Sequence, residues 1–356
     1  MPLSAITQAD HTPGILISTL HFLLLTLLVS MSLTRLSTLL PSTLVTPALS
    51  TALLASVPTA LMLSRVFRPV RYYVRLTTFL LGLASNSVWG VIVSLAMAAA
   101  GRKGDVNFVV ARSFWKSTAP LVGVRFRVEG EEHLTKRDGP VVMVGNHQTM
   151  LDILYLGRIF PRSASIMAKR ELKFMPLLGQ YMTFSDAVFV NRAKREDAVK
   201  VMERVAGEMK RKSLSLFIFP EGTRSASPVP SLLPFKKGAF HLAVQAQVPI
   251  VPIVCENYAH AYSSRKGRFE GGEVVIRVLP PIPTTGITSS SADIAALTDK
   301  TRDAMLEAIE ELGRERQAAL GKAIEGAAGA VEGQATEPTE TSRLLPQGNG
   351  VVGERA

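Results

Sequence analysis

Apolar and polar positions divide the chain into three regimes. From residue 11 to 34 no side chain carries a formal charge and Leu, Ile, Val and Phe dominate; further uncharged stretches run over 36–64 and 76–101. A bilayer core takes about 20 apolar residues to cross, so the first stretch is long enough to span. It lacks the basic n-region and small-residue cleavage site of a secretory signal, which makes it an anchor. The second carries Pro41, Pro47 and Pro58 among Ser and Thr, which suits a kinked span or a re-entrant piece. The third is the next best span. Residues 1–104 therefore read as a membrane-anchoring region of two to three hydrophobic segments, at about 12–34, 36–64 and 76–101.

Residues 105–312 read differently. Short β-branched runs at 124–128, 141–144, 165–168, 187–190, 214–219, 248–254 and 274–279 alternate with helical patterns, among them 195–212 and 235–246. Strands alternating with helices predict an α/β fold with a mostly parallel sheet flanked by helices, and ligands outside the carboxyl ends of the strands. After 312 the composition shifts to Ala, Gly, Glu, Gln, Thr and Ser. A helix with Ala304, Met305, Ile309 and Leu312 at helical spacing runs over 298–325, but residues 313–356 bury little apolar surface and read as a disordered tail.

Charge refines this picture. Arg65, Arg68, Arg71 and Arg75 precede the third uncharged stretch, and Arg102, Lys103, Arg112 and Lys116 follow it. Cations favour the cytoplasmic side, and here they flank both ends. Either the segment dips in and returns, or one cluster lies on the unfavoured side. The 47% hydrophobic share is concentrated in the first hundred residues, and the net charge of +11 asks for an anionic partner. Nucleic acid is not indicated, because no basic groove interleaved with aromatics and no zinc pattern is present. Anionic headgroups and phosphorylated substrates remain. The single cysteine, Cys255, excludes an intrachain disulfide and a cysteine-only metal site, and its Pro-Ile-Val-Cys setting reads as core.

The candidate chemistry centres on residues 139–152. The apolar run 141–144 reads as a buried strand, Gly145 ends it, and a helix begins around Met150, with Thr149 or Asn146 available as a cap. His147 and Asp152 are five apart, a spacing that does not face on a continuous helix. They meet only if the histidine lies at the start of the helix and the aspartate curls back. A carboxylate holding an imidazole at a loop edge is what a general base needs. Lys169, Arg192 and the Glu221-Gly222-Thr223-Arg224 turn each follow an apolar run. In a parallel sheet those ends share one edge, where the cations and turn amides make a phosphate seat. Singly, each residue reads as a surface charge or an ordinary turn.

Asn146-His147-Gln148-Thr149-Met150-Leu151-Asp152 resembles the NHxxxxD block of the glycerolipid acyltransferase superfamily, and of its 1-acylglycerol-3-phosphate acyltransferases in particular. Lys169-Arg170-Glu171-Leu172, Gly179 and Ala187 to Arg192 resemble the second block, Phe219 to Ser225 the third, and Val248 to Ile253 the fourth. All four occur in family order over roughly 120–285. Asn191 departs from the pattern, where members often carry aspartate. The resemblance implies transfer of an acyl chain from acyl-CoA to the sn-2 hydroxyl of lysophosphatidic acid, at a phospholipid membrane, with His147 as base and Asp152 as its orienter. It implies Asn146, Lys169, Arg192, Glu221, Gly222, Thr223 and Arg224 on the substrate side, with Glu221 orienting an arginine or the turn amides. No metal or cofactor is implied, acyl-CoA being a co-substrate. An uncleaved, multi-pass or monotopic protein of this kind suits the endoplasmic reticulum, its catalytic domain facing the cytosol. Another acceptor, a thioesterase using water, and a non-catalytic scaffold are the alternatives.

Overall fold

The computed structural model describes residues 58–136, 138–190 and 195–335, and their side chains except at 195–200 and 326–335. The stretch 12–34, most of 36–64, Asn191, Arg192 and residues 336–356 lie outside the described residues. Contacts divide the chain into two units, residues 1–310 and 311–356.

The first unit is built on a seven-stranded sheet of order β1-β9-β6-β2-β5-β3-β4. In chain order these are β1 (Val124–Glu129), β2 (Val142–Gly145), β3 (Ala164–Lys169), β4 (Val188–Val190), β5 (Ser215–Ile218), β6 (Ile250–Cys255) and β9 (Gly272–Val278). β2, β5 and β6 are buried at every position, as expected of strands covered on both faces. The sheet is mostly parallel: β6, β2, β5, β3 and β4 pair in parallel, with Val142 beside both Leu216 and Ile250. β9 pairs antiparallel with β6 and carries β1 parallel to itself. A short antiparallel ribbon, β7 (Tyr262–Ser263) and β8 (Arg268–Phe269), lies between β6 and β9. That connection folds into the ribbon and supplies no crossover helix of the kind a parallel return uses.

Helices cover the sheet: α1 (Arg68–Ala99), α2 (Val106–Leu121), α3 (Asp152–Ile159), α4 (Leu178–Phe184), α5 (Arg195–Lys212) and α6 (Gly238–Ala246). The last helix, α7 (Ser291–Ala335), is held in the first unit by buried Ile294, Leu297, Met305 and Ile309. The second unit is helical through Ala335, where composition alone had placed a tail from 313.

No unit boundary falls near residue 104. α1 is long and apolar enough to cross a membrane, yet it packs on α2 and α4. The face it buries is mostly small or polar, with Gly82, Ser85, Asn86, Ser87, Gly90 and Ser94 between the apolar Phe79 and Val93. Tyr73, Leu80, Leu81, Ile92 and Leu95 lie on the exposed face. Hydropathy counts such a helix as a span because it does not see which face is covered. The glycines set the approach: a Cβ on Gly82 would sit 2.5 Å from Thr118 Oγ1, and one on Gly90 2.6 Å from the Tyr181 ring. The arginines read as headgroup anchors are partly committed within the protein. Arg68 Nε lies 3.1 Å from Glu270 Oε1, Arg71 pairs with the other oxygen of Glu270, and Arg75 donates to the Phe269 carbonyl at 3.1 Å. They tie α1 to β8 across some two hundred residues of sequence. Arg112 lies over the rings of Phe108 and Trp115.

Helices α2 and α3 approach just as closely. A Cβ on Gly157 would lie 2.4 Å from the Ala111 carbonyl oxygen, a backbone atom with little room to give. Gly157→Val is expected to cost about 1–3 kcal/mol through overpacking. Gly207→Ala, in α5, where a Cβ meets nothing, is expected to gain up to ~1 kcal/mol of helix propensity. Thermal unfolding of the two variants should move in opposite directions.

Candidate active site

The site is built where β2 ends. The last strand residue, Gly145, must be glycine because a Cβ there would come 2.5 Å from the Phe217 ring and 2.8 Å from the Tyr155 hydroxyl. The next side chain, Asn146, is buried. Its carboxamide accepts the Cys255 N–H and donates to the Cys255 carbonyl, both at 2.8 Å. It thus continues the β2–β6 pairing by one residue after the backbones diverge. Gln148 Nε2 donates to the Cys255 and Glu256 carbonyls at 3.1 and 2.8 Å. Asn146 therefore faces β6 and not the substrate side to which the family pattern assigned it.

With both neighbours pinned to β6, His147 is presented between them. Its N–H donates to Glu221 Oε1 at 2.8 Å, and its carbonyl accepts the Ser225 N–H at 2.9 Å. The imidazole stacks on Phe219, with centroids 4.0 Å apart and planes 18° apart. Asp152 is the first residue of α3, so its carboxylate points back over the preceding turn. Oδ2 lies 2.6 Å from His147 Nδ1 and accepts the N–H groups of Gln148 at 2.7 Å and Thr149 at 3.1 Å. Tyr258 donates to Oδ1, and its own oxygen is 2.8 Å from Thr149 Oγ1. Thr149 Oγ1 also accepts the Leu151 N–H at 3.1 Å. The contact to Asp152 assigns the proton to Nδ1 and leaves Nε2 as the acceptor nitrogen.

Glu221 is 4% exposed. Its second oxygen accepts the Leu233 N–H at 3.0 Å, so its role is to join the β5 loop to the histidine turn. Burial pushes its carboxyl up, and the two backbone donors partly offset this. Burial, reinforced by the charge of Asp152, holds the Tyr258 phenol well above its usual value. It therefore keeps its proton at neutral pH and serves as a permanent donor.

A cavity of about 510 Å³ opens beside this centre. Leu83 of α1, Val110 and Phe114 of α2, Leu156 of α3, Ile166 of β3 and Met182 of α4 give it apolar walls. His147, Lys169 and Gly222 to Arg224 line the same space. The strand-end expectation thus holds for His147, Lys169 and the Gly222–Arg224 turn. Arg192 lies outside the described residues. Two contributors were not visible in the pattern, Tyr258 and Lys236, and the motif that contains Phe219 gave no sign of its stacking on His147. Gly222 has φ +72°, and a Cβ there would lie 2.9 Å from Lys236 Nζ. Lys236 therefore adds an exposed cation above the turn that bears Arg224. Its place in the Phe-Lys-Lys-Gly run hinted only at the start of a helix.

Residues 125–256 match a family model described as Acyltransferase. The chain is 41% identical over 243 residues to an uncharacterised acyltransferase of Schizosaccharomyces pombe, covering 68% of this chain and 86% of that protein. It is 38% identical over 242 residues to the 1-acyl-sn-glycerol-3-phosphate acyltransferase of Saccharomyces cerevisiae, covering 68% of this chain and 78% of that protein. The chain belongs to the 1-acyl-sn-glycerol-3-phosphate acyltransferase family. It is also similar to the crystal structure of the 1-acyl-sn-glycerophosphate (LPA) acyltransferase PlsC of Thermotoga maritima. That likeness has a TM-score of 0.56 and 25% identity over 69% of this chain and 98% of the other.

In this acyltransferase the single cysteine reports on the site. Cys255 is fully buried, and burial, then the charges of Asp152 and Glu256, push its thiol well above the usual range. Thiol reagents should label it far more slowly in the native protein than after unfolding. Asn146→Ala removes the acceptor of the Cys255 N–H and leaves the Cys255 carbonyl with Gln148 alone. We expect a loss of about 1–3 kcal/mol, read as earlier unfolding and faster labelling of Cys255.

Proposed function

We propose that this enzyme transfers a fatty acyl chain from acyl-CoA to the sn-2 hydroxyl of lysophosphatidic acid, releasing phosphatidic acid and CoA. The observation that carries the reading is the 2.6 Å contact between His147 Nδ1 and Asp152 Oδ2, made by a histidine that lines the same cavity as Lys169 and Arg224. His147 Nε2 takes the proton of the acceptor hydroxyl as its oxygen attacks the thioester carbonyl. The resulting tetrahedral intermediate collapses with cleavage of the C–S bond. The imidazolium, stabilised by Asp152, returns the proton to the departing CoA thiolate, so the histidine is regenerated. Because the thioester is already activated and the lipid alcohol is the nucleophile, no enzyme acyl intermediate is needed.

Asp152 holds the imidazole in one tautomer, and Tyr258, Gln148 and Thr149 hold Asp152. The apolar walls suit an acyl chain. Lys169, Arg224, Lys236 and, from the motif pattern, Arg192 are the groups proposed for the lipid phosphate, with the Gly222–Thr223 turn supplying amide donors. The exposed apolar face of α1 and the uncharged stretches before it fit work at a phospholipid membrane. The endoplasmic reticulum, with the site facing the cytosol, is the proposed location.

Labelled acyl-CoA assayed against lysophosphatidic acid, glycerol-3-phosphate and neutral lysolipids tests this reading. Lysophosphatidic acid should be the preferred acceptor, and His147→Ala should lower kcat/KM by about 10²–10⁴-fold, the usual contribution of a positioned base. A His147→Ala protein with unchanged transfer would sink the mechanism. Arg224→Gln and Lys236→Gln should each raise KM for lysophosphatidic acid about ten- to a hundredfold, as expected for losing a charge-assisted hydrogen bond worth about 1.5–3 kcal/mol. A phosphate-free acceptor should feel neither change.

A further inference from the structure

The segment joining β3 to α4 carries apolar side chains that, among the described residues, nothing covers. Arg170–Phe174 forms a 3-10 turn, and every residue from Lys173 to Leu177 is exposed. Phe174 is 73% exposed, and Met175 and Leu177 are 46% each. Large apolar groups seldom gather in solvent over five consecutive residues without a partner.

The exposure is built in by the local backbone. The Gly179 N–H donates to the Met175 carbonyl at 2.8 Å, and the Leu178 N–H to the Pro176 carbonyl at 2.7 Å. A Cβ on Gly179 would lie 2.1 Å from the Lys173 carbonyl oxygen, so only glycine lets the turn close onto α4. Leu177 itself sits at φ +64° and ψ −53°, the centre of a γ-turn closed by that Leu178–Pro176 bond and a conformation costly for a leucine. The turn holds that strain while leaving the Leu177 side chain in solvent.

Three observations identify what it meets. The apolar tip is flanked by Lys169, Arg170 and Lys173 against the single acid Glu171, a pairing of apolar wedge and cations that suits an anionic lipid surface. Leu172 and Leu178, on either side of the tip, line the cavity that holds His147. The tip therefore stands at the rim through which an acyl chain would pass. α4, which the tip leads into, packs on α1 and carries exposed Phe184 beside the helix whose own outer face is apolar.

We infer that residues 170–177 insert into the surface of an anionic phospholipid bilayer, Phe174, Met175 and Leu177 entering the acyl boundary and Arg170 and Lys173 meeting the headgroups. This contact belongs to the acyltransferase domain and is distinct from the uncharged stretches that precede α1. It rests on the proposed lipid substrate for its purpose: it seats the cavity mouth on the leaflet, so that the lipid acceptor moves from bilayer to site without crossing water.

The test uses the full chain in nanodiscs containing phosphatidylglycerol. Buried Cys255 stays silent, so Phe174→Cys can carry a single environment-sensitive fluorophore, with Lys136→Cys, near the opposite edge of the sheet, as the control. The inference expects a blue-shifted emission at 174 that doxyl-labelled lipids quench, and neither effect at 136. Emission at 174 typical of water overturns it. A blue shift without lipid quenching also overturns it, because the tip then meets protein, whether a second copy or another segment of this chain. In parallel, Phe174→Ser combined with Met175→Ser should lower transfer to acceptor presented in anionic vesicles at least fivefold, while transfer to detergent-dispersed acceptor stays within twofold. Equal losses in both formats count against insertion. If the wild type transfers no acyl chain to any acceptor, the proposed function fails, yet the quenching result still reads out the surface contact.

Discussion

A carboxylate buried at the start of a helix organises this protein. Asp152 is fully buried, and burying a charge of that kind is tolerated only when its oxygens are hydrogen-bonded. The donors come from His147, Gln148, Thr149 and Tyr258. Three of them are on the turn that Asp152 itself terminates, so satisfying the carboxylate and shaping the turn are one event. The imidazole is drawn into the same solution, oriented by a group that the fold must pair in any case. The geometry of the His147–Asp152 pair here follows from a requirement of stability.

The same economy appears around the turn. Asn146 and Gln148 fasten it to the end of β6, and Glu221 fastens it to the loop after β5. Each uses a buried polar side chain to satisfy backbone groups that the diverging strands leave without partners. Three adjacent strand ends are thereby locked together at the edge where the cavity opens. α1 and α2 then roof the cavity with apolar side chains, and the mostly small or polar inner face of α1 lets it lie close to α2 and α4. Packing of helices through small residues is the mode used within membranes, which agrees with the apolar side chains on its outer face.

Much of the fold was legible from periodicity. The strands at 124–128, 141–144 and 165–168 lie within a residue or two of β1, β2 and β3, and the amphipathic helix over 195–212 coincides with α5. The run at 141–144 is legible because a strand buried on both faces must be continuously apolar, and that at 124–128 because its alternation marks a strand with one polar face. The antiparallel placement of β9, and of β1 with it, was not legible, because strand direction depends on the connection between elements and not on their composition. Arg68 and Arg71 read as headgroup anchors for a similar reason. Their partner Glu270 is about two hundred residues away, and local pattern gives no sign of it.

At the site, the sequence by itself determined the His147–Asp152 pair and the sheet edge on which Lys169 and the Gly222–Arg224 turn gather. His147 and Asp152, five apart across a strand-to-helix turn, can meet in only one local geometry. Lys169 and the Gly222–Arg224 turn follow strands that must end together. Only the tertiary structure separated the residues that line the cavity from those that hold the turn. Asn146 and Glu221 belong to the same motifs as His147 and Arg224, yet their polar atoms are spent on backbone partners from β6 and from the loop at Leu233. It alone brought in Tyr258 and Lys236, whose roles are set by elements packed from far along the chain. Spacing along a turn fixes what a residue's neighbours can be; the direction its side chain takes is decided by which distant backbone needs a hydrogen bond.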